Sequence, residues 1–221
     1  MSQFISYATS DTGYVGVTDV PDTWVSVHGY TTGGVVVPSD PLYCMSYTNS
    51  GNTSMLRQAL YFNTSLIHPS DTITSASLYL RSQYASAFIS GNKAFEVCVG
   101  GSHPSIPLAE ADFNYTYYAS NSVGTGTYVD NGIDSDITIT LSQTGLNNIN
   151  RGGITRFMLL TNEDYTNTDP GLEIIILPFY PATDATYKPK LTINYTKSPN
   201  KIQSRFNMSK TMALYKKLRP C

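Results

Sequence analysis

The sequence predicts an all-β protein, an antiparallel β-sandwich of jelly-roll-like type with a basic C-terminal extension. Three observations predict this fold class. The 221-residue chain has 17 Tyr and only 14% charged residues, a composition typical of pleated, half-buried surfaces. Short segments alternate apolar and polar side chains with a period of two, as strands with one buried face do. Clusters of Gly, Pro, Asn and Asp separate these segments and predict turns.

The N-terminal part of the chain predicts five strands. Each is a short run of β-branched and aromatic residues between turn sequences such as "TTGG", "PSDP" and "NSGN". Runs of this length, bounded in this way, are typical of sandwich strands. The predicted strands lie near 13–18, 23–28, 34–37, 42–48 and 54–63.

Later segments show the alternation most clearly. In "ITITLSQ" the residues Ile137 and Ile139 share a face, and in "AFEVCVG" the residues Glu96 and Cys98 lie opposite the apolar face. We therefore expect strands that pack on a core from one side only. These segments are 76–82, 94–100, 137–143 and 190–196.

Residues 172–180 and 154–161 predict more deeply buried strands. The segment "LEIIILPFY" is apolar on both faces, which predicts a central strand that ends at Pro178. The stretch "TGLNNINRGGITRFMLLT" has two readings, a phosphate-binding glycine loop or a turn before a buried strand. The lysine and hydroxyl of a P-loop are missing, so we expect a short helix over 145–151, a left-handed turn at Gly152 or Gly153, and a strand.

Charge divides the chain into two parts. Residues 1–196 carry seven basic and sixteen acidic residues, a net charge of −9, whereas residues 197–221 carry seven Lys or Arg and no acid. We interpret 1–196 as a β-sandwich domain and 197–221 as a basic docking arm. A short helix over 210–218 is too short to be stable alone, so we expect it to dock on another subunit. The predicted docking residues are Ile202, Phe206, Lys210, Met212, Tyr215, Lys216, Lys217 and Leu218.

Several stretches resemble one known family. "LYFNTSLIHPSDTITSASLYLR" (60–81), "LSQTGLNNINRGGITRFMLLTNED" (141–164) and "KPKLTINYT" (188–196) resemble, in order, the repeated strand pattern, short helix with Gly-Gly turn, and closing strand of DNRLRE-type extracellular β-sandwich domains. "SDTGYVGV" (10–17) resembles the opening strand, although the hexapeptide that names the family is absent. The resemblance implies a non-catalytic domain of cell surfaces, carbohydrate-binding proteins and phage particles, and it implies no catalytic residues.

The sequence shows no recognisable catalytic set. The three His are scattered, Ser102 and His103 are adjacent and so are predicted to face opposite ways, and no paired carboxylates stand out. Two weaker binding hypotheses remain. Trp24, Tyr115 and Tyr117 are candidates for a glycan platform. Asp130, Asp134 and Asp136 are candidates for a structural calcium site, although Asp and Asn also simply form turns.

The cysteines and the chain start bear on location. Cys44, Cys98 and Cys221 form no metal motif, and a Cys44–Cys98 disulfide is possible beside the alternative of free buried thiols. The N-terminus has no basic and apolar signal-peptide pattern, and no apolar run reaches the roughly 20 residues of a membrane helix. We therefore expect a virion or an extracellular surface location, and no membrane span.

Together these patterns predict a non-enzymatic structural protein of a virus or phage particle, without a cofactor. It would act as a capsid decoration or a fibre component, anchored through its arm to other subunits, with a homo-oligomer expected. The alternative is a carbohydrate-binding module at a cell surface. Nucleic acid is not expected as a partner, because the acidic body would repel phosphates.

Overall fold

A computed structural model describes residues 1–36, 41–83, 91–129 and 134–199, without the side chains of 35 and 36. Within these ranges the chain is all-β and every strand pairing is antiparallel. The strands are β1 Ser2–Tyr7, β2 Gly13–Val20, β3 Gly34–Val36, β4 Leu42–Asn49, β5 Asn52–Asn63, β6 Thr72–Arg81, β7 Lys93–Cys98, β8 Ser122–Tyr128, β9 Asp136–Thr140, β10 Ile154–Thr161, β11 Ile175–Phe179 and β12 Lys190–Thr196.

Short helices connect some of these strands. The α-helices of the described ranges are α1 Trp24–His28, α2 Gln143–Asn147 and α3 Asn162–Thr166, and two 3-10 helices span Glu110–Phe113 and Tyr115–Tyr117. None of the helices in these ranges has the length and apolar character needed to span a bilayer.

The strands form two sheets, which confirms the predicted antiparallel β-sandwich. The smaller sheet has the order β1-β12-β6-β9. The larger sheet follows the path β11-β4-β5-β10-β7-β8, and β2 and β3 join it through β5. The 12-residue strand β5 is the centre of this sheet, because it pairs with β2, β4 and β10 along its length.

Two apolar cores use the two faces of the larger sheet. Along β10, Phe157 and Leu159 join the first core, which the smaller sheet covers, whereas Met158 and Leu160 join the second core. The second core is covered by α1 and by the segment around the 3-10 helices. We define it by its buried apolar members, which are Val15, Trp24, Val27, Met55, Ala59, Tyr61, Cys98, Leu108, Phe113, Tyr118, Met158 and Leu160.

The second core explains where the one-sided strand prediction is wrong. In β7, Glu96 and Cys98 are as buried as the apolar face, at 7% and 0% exposure. Glu96 is tolerated there because Ser122 and Thr125 donate hydrogen bonds to its carboxylate. The larger sheet is therefore buried on both faces over much of its area.

The predicted strand 23–28 is in fact helix α1. The Thr23 side chain accepts a hydrogen bond from the backbone N–H of Ser26, which starts a helix. Trp24 and Val27, three residues apart, then lie on one side of the helix and join the second core.

The last buried strand also differs from its prediction. β11 lies at one end of the larger sheet's path rather than in its centre, and Pro178 lies within it instead of ending it. Proline fits there because it gives up one N–H of an end strand. A bridge between Ser82 and Phe179 connects this strand to the end of β6.

The helix–glycine–strand unit is confirmed with shifted bounds. Ser142 caps α2, which ends at Asn147, so the helix is shorter than predicted and begins earlier. Gly152 has a φ of +88°, the left-handed conformation predicted for one of the two glycines. β10 has the predicted bounds, Ile154–Thr161.

Candidate functional site

The predicted docking residues lie outside the described residues, and so does Asp130 of the predicted calcium loop. Those docking residues are Ile202, Phe206, Lys210, Met212, Tyr215, Lys216, Lys217 and Leu218. The structure does describe the chain up to residue 199. Strand β12 ends at Thr196, and the backbone N–H of Ser198 donates to Oδ1 of Asp71 at 2.9 Å. The chain is therefore held to the turn before β6 at Ser198.

The three rings predicted as a glycan platform do not share an exposed face. Trp24 is only 2% exposed and belongs to the second core, so it presents no ring face to a ligand. Tyr115 and Tyr117 form a 3-10 helix and not an extended segment. Each packs on a different histidine, Tyr115 on His28 at 4.1 Å and Tyr117 on His103 at 3.7 Å between ring centroids.

The two described residues of the calcium hypothesis have protein partners. Oδ1 of Asp136 accepts hydrogen bonds from Tyr79 at 2.8 Å and from Arg81 at 2.7 Å, and these contacts lower the pKa of Asp136. Oδ2 of Asp134 accepts from Tyr180 at 2.5 Å. The guanidinium occupies the oxygen that a cation would need. In the described ranges, no three His, Cys, Asp or Glu side chains are grouped so that they could hold a metal ion.

A buried ion pair that the sequence analysis missed organises the second core. Arg57 of β5 donates from Nε and Nη2 to the two carboxylate oxygens of Asp164 of α3, both at 2.7 Å. The two side chains are 0% and 1% exposed. Arg57 also donates from Nη1 to the carbonyl of Phe113 and lies 4.3 Å from its ring centroid. This pair thus joins the sheet to the layer that covers it. Its signal in the sequence is a lone charge within the otherwise uncharged strand "NTSMLRQALYFN".

His28 completes this buried group. Its Nε2 lies 2.8 Å from the backbone carbonyl oxygen of Asp164, so Nε2 carries the proton and donates it. Burial lowers the pKa of His28, and the negative charge of Asp164 only partly opposes this effect. His28 is therefore neutral at pH 7, and its contact is structural.

A second histidine–carboxylate pair joins His103, before the 3-10 helices, to Asp112 of the first of them. Asp112 is fully buried, and its Oδ1 lies 2.7 Å from Nδ1 of His103. Burial alone would raise the pKa of Asp112, but hydrogen bonds from Ser105, His103 and Ala109 outweigh it and lower the pKa. The Ser105 hydroxyl donates to Asp112 at 2.5 Å. The serine therefore contacts the carboxylate and not the imidazole, which is the wrong order for a Ser–His–Asp relay.

The two described cysteines are free and buried. Burial raises the pKa of both the Cys44 and the Cys98 thiols. They are therefore protonated at neutral pH and are not nucleophiles. The possible Cys44–Cys98 disulfide is not formed, and Cys221 lies outside the described residues.

An open pocket of about 300 Å³ lies at one end of the sandwich. It is bounded by the turn after β7, the end of α2 and the start of β10. Two apolar and four polar residues supply most of its wall. These are Val99, Ser102, Asn148, Asn150, Ile154 and Arg156. The sequence predicted a short helix, a left-handed turn and a strand here, with phosphate binding as the rejected alternative. It gave no sign that Asn148 and Asn150 meet Arg156, because the arginine next to them in sequence is Arg151, which does not line the pocket.

Comparisons with known proteins give no family. No family model matches the chain, and no curated protein matches it. Among solved structures, the chain is similar to the K1 cleaved adhesin domain of Lys-gingipain from Porphyromonas gingivalis W83. The identity is 8% and the TM-score is 0.33, over 90% of this chain and 100% of that domain. A likeness this weak carries no argument about function.

Proposed function

We propose that this chain is a non-enzymatic structural protein of a virus or phage particle, a capsid decoration or a fibre or appendage component, which is anchored through its C-terminal arm. The observation that carries the proposal is that the last described strand, β12, ends at Thr196 and the sequence continues from residue 197 with seven Lys or Arg and no acid. Strand β12 lies between β1 and β6, so both of its edges are already paired. The resemblance of residues 10–196 to DNRLRE-type domains supports the same setting.

The charge distribution supports docking between copies. The body carries a net charge of −9 and residues 197–221 carry +7. Opposite charges on two parts of one chain attract the arm of one copy to the body of another, and this attraction accelerates encounter and weakens with salt.

Apolar residues of the arm give the docked state its affinity. Burial of Phe206, Met212, Tyr215 and Leu218 on a neighbour would contribute roughly 1.5–3 kcal/mol each. Ordering about 20 residues costs much of that gain, since each residue loses backbone freedom. Each arm therefore binds modestly, and many copies together give a stable assembly.

The internal contacts of the body support a non-enzymatic role. Asp164, Asp112 and Glu96 are buried and accept hydrogen bonds from protein groups. His28 is held neutral against a backbone carbonyl. These groups serve the fold, and none of them lines the open pocket.

Deletion of residues 200–221 tests the docking role. It keeps Ser198, whose N–H binds Asp71, so the end of the sandwich stays intact. We expect unchanged far-UV circular dichroism, a similar melting temperature and loss of assembly in light scattering. Two full-length variants separate the causes. F206S/L218S removes two apolar anchors and should weaken assembly at every salt concentration. K216Q/K217Q removes two positive charges and should weaken assembly only at low salt, where the charges contribute. A truncated protein that assembles as well as the full chain would refute the docking arm.

The virion role has its own test. Purified particles of the virus that encodes the chain should contain it in a fixed copy ratio to the main shell protein, measured by quantitative mass spectrometry. A ratio that varies between preparations, or loss of the protein on density-gradient purification, would contradict the proposal.

A carbohydrate-binding module at a cell surface is the second candidate function. Its predicted platform is not formed, because Trp24 is buried and the two tyrosines pack on histidines. The observation that favours it is the pocket beside Arg156, where hydrogen-bonding groups surround an open cavity.

A further inference from the structure

Arg156 is held in place but has no acidic partner in the described ranges. Its Nη1 donates to the carbonyl oxygens of Ser102 and Pro104. Its Nε and Nη2 donate to no described residue. Arg57 and Arg81, by contrast, each pair with an aspartate. The guanidinium of Arg156 is therefore a fixed, partly exposed cation with donors available at the pocket, and this geometry matches a carboxylate.

Two asparagines that line the same pocket have side-chain amides of determined orientation. Nδ2 of Asn148 donates to the carbonyl of Thr144 at 2.9 Å, and Nδ2 of Asn150 donates to the carbonyl of Ile154 at 3.3 Å. Since the NH2 groups are directed at carbonyls, the orientation of each amide is determined. Each Oδ1 is left as an acceptor. A ligand that satisfies them must bring donors, and hydroxyl groups are such donors.

Apolar and spatial features narrow the ligand further. Val99 and Ile154 supply an apolar part of the wall, which fits the C–H face of a sugar ring. The volume of about 300 Å³ is at the small end of ligand sites and suits a single ring. Among the described residues, no Asp or Glu lines the pocket, so none of the residues that form its wall repels an anion.

We propose that this pocket binds a carboxylate-bearing monosaccharide unit, with the carboxylate on Arg156 and ring hydroxyls on Asn148 and Asn150. This proposal rests on the second candidate function, carbohydrate binding, and gives it a ligand class. The assembly role of residues 197–221 does not depend on the pocket. The test uses the full chain in solution, so failure of sugar binding would leave the assembly proposal standing, and failure of assembly would leave the pocket proposal standing.

Titration with D-glucuronate, followed by ¹H–¹⁵N correlation spectra, tests the site. We expect saturable shifts for residues 99–102 and 148–156 and for the side-chain amides of Asn148 and Asn150. D-Glucose lacks the carboxylate and acetate lacks the hydroxyls. Each should bind roughly 10- to 100-fold more weakly, the factor expected for losing one charge-assisted contact or two neutral hydrogen bonds.

Variants assign the contacts. Arg156→Gln should weaken glucuronate to the level of glucose. Arg151→Gln is the matched control, because Arg151 is exposed, lies outside the pocket and donates to the carbonyl of Asp71. Since Arg156 also holds the turn at Ser102, Asn148→Asp provides a second test at an exposed position. It places a negative charge in the pocket and should abolish glucuronate binding while the spectrum stays folded.

The outcomes decide the proposal. Acetate binding as tightly as glucuronate would reduce the pocket to a simple anion site and overturn it. Equal affinity for glucose and glucuronate would show that Arg156 does not bind the carboxylate, and would overturn the proposal. Absence of saturable shifts with glucuronate, or shifts that survive both Arg156→Gln and Asn148→Asp, would overturn it as well.

Discussion

Replacing Asp164 with Asn removes the negative charge opposite Arg57 while keeping the size of the side chain. The guanidinium is fully buried and gives two hydrogen bonds of 2.7 Å to the carboxylate. In the variant, Arg57 keeps its positive charge in the interior. The NH2 group of the introduced Asn then replaces one of the two oxygens that accepted hydrogen bonds from the guanidinium. Such half-broken buried pairs lose roughly 3–5 kcal/mol. That is a large part of the roughly 5–15 kcal/mol that stabilises a typical domain.

Urea unfolding measured by tryptophan fluorescence gives the loss directly. Trp24 is the single Trp, lies in the second core, and donates from Nε1 to Asn167 at the end of α3. It therefore reports on the region that Asp164 holds. The free energy of unfolding should fall with little change in the denaturant slope, since the same surface is exposed on unfolding.

The control and the double variant make this prediction refutable. Asp136→Asn breaks the Arg81 pair at the surface, where the side chains are 21% and 59% exposed, and should lose far less stability because water solvates both groups. Arg57→Met with Asp164→Leu removes both charges and should lose much less than the sum of the two single variants. If Asp164→Asn loses no more than Asp136→Asn, or if the double variant shows simple additivity, the pair does not hold the second core.

Three further predictions follow from single groups. Gly152→Val should lower the free energy of unfolding by roughly 1–3 kcal/mol, because a β-branched residue is strained at a φ of +88°. Gly152→Asn should lower it less, because Asn adopts the left-handed conformation more readily. Equal melting temperatures for both variants and the parent would disprove the left-handed turn. Burial lowers the pKa of His28 below 6.5, so the unfolded chain binds more protons than the folded one and the free energy of unfolding should fall as the pH drops through about 6.5. His28→Gln should flatten this part of the plot of stability against pH. Superimposable plots for the variant and the parent would contradict a buried neutral histidine. In a Cys221→Ser background, Cys44 and Cys98 should react with a thiol reagent only at the rate of unfolding, and fast labelling in native buffer would show that they are accessible.

The sequence alone determined the parts of the fold that depend on local chemistry. The alternation in β6, β9 and β12 identified strands whose one face packs on the first core, because strand side chains alternate whatever the partner strand is. The glycine pair before β10 identified a left-handed turn, because few other residues adopt that conformation. Both signals lie within about ten residues of sequence.

Only the tertiary structure decided which faces are covered twice and which side chains meet. Strand β8 was missed because its glycines lower the strand signal, yet a Cβ at Gly126 would lie 2.2 Å from the Phe95 ring and one at Gly124 would lie 2.7 Å from Ile139. These glycines are explained by the packing of neighbouring chain segments and not by a turn. The same holds for α1, whose short apolar pattern fits a strand or a helix until the second core gives Trp24 a place.

The buried pair and the pocket are decided in the same way. Arg57 and Asp164 are 107 residues apart, and no local pattern indicates that a lone arginine of one strand meets an acid of a later helix. Arg156 and Asn148 face one cavity only because the turn after β7 and the end of α2 come together. The periodicity of the sequence shows which face of a strand or helix is apolar. Whether two charges pair or a cavity forms depends on the distances between segments that are far apart in sequence, and only the complete fold sets those distances.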